Sequence, residues 1–113
     1  MTSPLSLLTE AQELIRDPVH WTQEAYYRNA EGEPPQDDSP NFLDPKAVCF
    51  CSLGALNRMG VSYPLRTRAL AVQLLQEVMG TTIPHFNDSR THADVMLAFD
   101  RARKLAHEYD PAG

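Results

Sequence analysis

The sequence predicts a mainly α protein, a compact bundle of about four helices with a short β-hairpin or extended insert between the first and second. Three observations carry this. Apolar residues recur at helical spacing in four stretches, and a capping residue stands directly before a proline ahead of two of them, at Ser3-Pro4 and Asp44-Pro45. Only one stretch, Val19 to Tyr27, alternates with the period of a strand.

The first helix is expected over about 4 to 16. Ser3 caps it, Leu5, Leu8, Ala11 or Gln12, and Ile15 line one face, and Pro18 stops it after Asp17. In the insert, Trp21, Gln23, Ala25 and Tyr27 fall on one side, and Asn29-Ala30-Glu31-Gly32 supplies turn chemistry. An irregular loop over about 28–44 follows, rich in Pro34, Pro35 and Pro40 and ordered in part by Phe42 and Leu43. It has neither period.

The second helix is expected near 45 to 59, apolar nearly all round and therefore buried, with Gly60 as its stop. The third is expected over about 65 to 79, before Gly80. Leu65, Ala69, Val72, Leu75 or Gln76, and Met79 form one stripe and Leu70, Leu74 and Val78 a second. In the last helix Thr91 is the cap and Asp94 the carboxylate of a capping box, with Val95, Phe99, Ala102, Ala106 and Tyr109 on the inner face. Asp110-Pro111 ends it.

At 113 residues, without repeats or low-complexity tracts, residues 1–113 read as one domain. No apolar run approaches the roughly 20 residues that cross a bilayer, and Met1 to Leu5 lacks the basic start of a secretory signal. Cytoplasmic residence without membrane contact is the expectation. A net charge of −5 disfavours nucleic acid, and the basic groups Arg101, Arg103 and Lys104 sit where cations complement a helix C-terminus. The expected partner is another protein, or a second copy.

Two segments carry residues with chemical potential. One is Cys51-Ser52-Leu53-Gly54-Ala55-Leu56, the other Ile83-Pro84-His85-Phe86-Asn87-Asp88 leading into Thr91 and Asp94. Were the chain an enzyme, Cys51 would be its nucleophile, His85 its base, and Asn87 or Asp88 the group that orients the imidazole. A helix from Pro45 would put Cys51 beyond the first turn, where the dipole no longer favours a thiolate. Cys51, Gly54, Ala55 and Arg58 then form a strip on which another helix packs closely, while Asn87 and Asp88 bond backbone amides and turn the chain. Cys49 and Cys51, two apart on a helix, point about 200° from each other, so neither a disulfide nor a metal site is expected, and no cofactor.

Binding, if present, is expected at Trp21, Tyr26, Tyr27, His85, Phe86 and Asn87. Trp21 is expected in the core, and of the adjacent tyrosines one must face away. His92, in the first turn of a helix, suits a neutral ring donating to a partner.

Taken together, Trp21 and Gln23, Gly32, Cys51, Gly54 to Leu56, Ile83, Pro84, Phe86 to Asp88, Thr91, Asp94 and Val95 resemble a family of small uncharacterised proteins of actinobacteria, other bacteria and their phages. Phe86 stands where that pattern more often has tryptophan. The resemblance spans about residues 19 to 105. It implies no established activity, and points to an accessory role on a phage or mobile element. The function expected from the sequence is a non-enzymatic protein-binding module acting on host machinery, set against a Cys51–His85 hydrolase or transferase and a small-molecule pocket.

Overall fold

The computed structural model describes residues 3–34 and 44–109. Phe42, Leu43, most of the Pro-rich loop and Asp110-Pro111 lie outside the described residues. Among the described residues there are five α-helices and one two-stranded antiparallel sheet: α1 (Pro4–Leu14), β1 (Tyr27–Asn29), β2 (Ala47–Phe50), α2 (Ser52–Gly60), α3 (Leu65–Met79), α4 (Ile83–Ser89) and α5 (His92–Tyr109). None of these helices is long and apolar enough to cross a membrane.

The helical body is built by α1, α3 and α5, each packed on the other two, with α2 against α1 and α3. Ser3 caps α1 as its sequence requires, its Oγ accepting the Ser6 N–H at 3.1 Å, and Pro4 occupies the first turn. The α-helix ends at Leu14, short of Pro18, because Asp17 starts a new 3-10 turn over Pro18–His20 by accepting the Val19 N–H. On α5 the cap is reciprocal: Thr91 Oγ1 accepts the Asp94 N–H at 3.1 Å and the Asp94 carboxylate accepts the Thr91 N–H at 3.3 Å. Val95, Ala98, Phe99, Ala102 and Ala106 face the core.

α3 has the expected bounds and a different inner face. Ala71, Leu74, Leu75 and Met79 are buried, whereas Leu65 is 74% exposed and Ala69 also faces solvent. The buried set keeps the i, i+3, i+4, i+8 spacing of one stripe, and Leu65 opens the helix before any neighbour covers it.

The expected second helix divides. Ala47 to Phe50 is strand β2, and α2 begins only at Ser52 with Cys51 as its N-cap. A short apolar run has no period that separates strand from buried helix, and here β1 offers it a partner. The hairpin therefore joins β1 to β2 across the Pro-rich loop, with Tyr27 opposite Phe50 and Arg28 opposite Cys49, rather than turning back within residues 19 to 32. Asn29 still builds a turn, accepting the Glu31 and Glu33 N–H groups on its side-chain oxygen.

Asn87 and Asp88, expected to turn the chain into the last helix, lie instead within helix α4. Pro84 in its first turn is a helix-start signal that the neighbouring Asn and Asp masked.

Candidate functional site

Asn87 stands at the centre of the unusual residues. Its side chain is fully buried where α4 meets the start of α2 and the chain that leads into β1. Oδ1 accepts three hydrogens: from the Ser52 N–H at 2.9 Å, the Ser52 hydroxyl at 2.7 Å and the Trp21 indole N–H at 2.8 Å. A backbone N–H can only donate, so the bond from Ser52 fixes which end of the amide is oxygen. Nδ2 donates to the Thr22 carbonyl at 3.0 Å and to Asp88 Oδ1 at 3.2 Å. Both ends of the amide are thereby occupied.

The same two consecutive residues hold the strained part of the insert. Asp88 Oδ1 also accepts the Glu24 N–H at 2.8 Å, where Glu24 has φ +64°. Positive φ is unfavourable for a non-glycine residue and persists when the surroundings impose it. Gln23 Nε2 donates to the carbonyls of Asn87 and Arg90, and Arg28 gathers Thr22, Gln23 and Gly32 through three hydrogen bonds. Residues 21 to 28 are thus tied down by polar bonds that sequence spacing does not reveal.

Cys51 lies beside this knot. Its Sγ accepts the Gly54 N–H at 3.2 Å and its own N–H donates to the Tyr26 carbonyl at 3.1 Å. Because α2 starts at Ser52, Cys51 is at the helix N-terminus after all, where the dipole favours a thiolate. Burial opposes this and wins. With 4% of its surface exposed, the thiol is pushed up to about 11 by desolvation, outweighing the backbone N–H groups of Gly54 and Leu53 that pull it down. At neutral pH Cys51 is a thiol. Cys49, on β2, is half-buried, and both cysteines are free.

The small-residue strip on α2 has a different neighbour from the one expected. A methyl group at Gly54 would overlap the Tyr26 carbonyl oxygen, so glycine admits the bent backbone of the insert at this point and not another helix. Gly60 meets only the flexible side chain of Arg68 and Leu7.

The remaining candidates scatter. His85 is exposed on α4, and its ring makes no hydrogen bond to Cys51, Asn87 or Asp88. Phe86 is half-buried beneath the Arg90 guanidinium, which sits 5.1 Å from the ring centre. Tyr27 is buried against Phe50, while Tyr26 is 38% exposed, so the adjacent tyrosines do face opposite ways. Trp21 is half-buried, edge-on to His92 at 5.4 Å, and His92 Nε2 donates to the Ile15 carbonyl at 2.8 Å. Among the described residues, no three His, Cys, Asp or Glu side chains gather as a metal site would require.

Over the knot lies a shallow, open depression of about 520 Å³, bordered by Trp21, Gln23, Asp88, Arg90, His92 and Asp94. Of these, sequence reasoning singled out Trp21 and Asp88 as candidates and missed Gln23 and Arg90. It also missed Ser52, whose only signal was a hydroxyl beside the cysteine of an otherwise apolar run.

The profile of one protein family matches residues 1–105. The chain belongs to that family, DUF6197, a family of unknown function. No curated protein and no solved structure matches the chain. Within this DUF6197 chain, six of the fifteen residues that carried the sequence resemblance, Trp21, Gln23, Cys51, Gly54, Asn87 and Asp88, belong to the knot or its edge.

Proposed function

We propose that this chain is a non-enzymatic binding module, a bacterial or phage accessory factor that docks a protein of the host machinery or a second copy of itself. The docking face is the depression bordered by Trp21, Gln23, Arg90 and His92, with Tyr26 exposed elsewhere on the insert. One observation carries the reading: the Asn87 amide, the best candidate to orient a catalytic histidine, is consumed by five hydrogen bonds that hold the fold. The protonated, buried thiol of Cys51 points the same way. What is left at the surface is a rigid base under a polar and aromatic rim, a composition suited to contact rather than bond-making.

Size-exclusion chromatography with light scattering, followed by pull-down from a host lysate, tests the proposal. The expected result is a dimer or a retained partner, lost in Arg90→Glu with an unchanged circular dichroism spectrum. A strict monomer that retains nothing would refute it. The catalytic alternative is separated by iodoacetamide near neutral pH: Cys51 should alkylate only after denaturation, and rapid alkylation in the native state would restore a thiol-based reaction.

The depression also favours a second reading, a small-molecule site without chemistry. Of the residues expected to line such a pocket, Trp21, His85, Phe86 and Asn87, its rim includes Trp21 alone, and Asn87 lies beneath. A thermal-shift screen with nucleotides and metabolites addresses it, because a ligand at 100 times its dissociation constant adds about 2.7 kcal/mol of stability. The chain's single tryptophan, Trp21, gives an independent fluorescence report on occupancy.

A further inference from the structure

We draw no further inference here: the strongest candidate, the open depression between the Trp21 segment and the first turn of α5, belongs to the site already described, and nothing in the structure shows what covers it.

Discussion

Replacing Asn87 by alanine removes a side chain that joins α4, α2 and the insert. Three donors lose their acceptor at once: the Ser52 N–H, the Ser52 hydroxyl and the Trp21 indole. A buried polar group left without a partner costs about 1–3 kcal/mol. Ser52 is fully buried and bears the cost of two such groups, whereas the half-buried Trp21 can turn toward water and bears less. The expected loss is about 3–5 kcal/mol, a large share of the roughly 5–15 kcal/mol that holds a domain folded. For a domain of this size it lowers the melting temperature by about 12–20 °C.

Urea unfolding followed at 222 nm gives the stability, and Trp21 fluorescence reports the insert separately, since the chain contains no other tryptophan. The emission of the folded variant should shift to the red as the indole N–H exchanges its Asn87 oxygen for water. Asn87→Asp sharpens the test. At neutral pH it places a carboxylate against the Thr22 carbonyl and Asp88, where an amide donated, so it should be destabilised and recover partly on acidification, when its carboxyl can donate again. A loss below about 1 kcal/mol in Asn87→Ala, with unchanged emission, would mean that water replaces the amide freely and that the knot does not hold the insert.

Gly54→Ala should destabilise by about 1–3 kcal/mol, because the new methyl group meets the backbone carbonyl of Tyr26 in the insert. Gly60→Ala, which presses on the Cγ and Cδ of the Arg68 side chain and not on a backbone, should cost less than Gly54→Ala; equal costs in chemical denaturation would contradict the close approach at Tyr26. Stability should also fall between pH 9 and pH 11. The thiol of Cys51 ionises in the unfolded chain near 9.0 but only at about 11 in the folded one, so the unfolded state releases its proton first and gains about 2–3 kcal/mol across that window. Cys51→Ser should flatten this part of the profile, and an unchanged slope would show that the thiol is not the titrating group. Thr91→Ala should cost about 1 kcal/mol in thermal unfolding by removing the acceptor of the Asp94 N–H, and no change would mean that solvent caps α5 equally well.

What could be read directly from the chain is what depends on neighbours in sequence. Ser3 with Pro4, Thr91 with Asp94, and Gly80 after Met79 define helix ends through bonds and dihedral angles within a few residues, and those ends stand where the pattern placed them. The mainly α class followed for the same reason. The division of residues 45 to 60 into strand and helix did not, because Ala47 to Phe50 is apolar enough for either and only the pairing with Tyr27 to Asn29 decides between them. Nor did the role of Asn87. Its partners Trp21, Thr22 and Ser52 lie 66, 65 and 35 residues away, so no local spacing could distinguish an amide that orients a histidine from one that fastens an insert. Cys51 shows the same limit: its place at a helix N-terminus and its burial come from packing, and it was burial, a property of the assembled core, that set the thiol's charge.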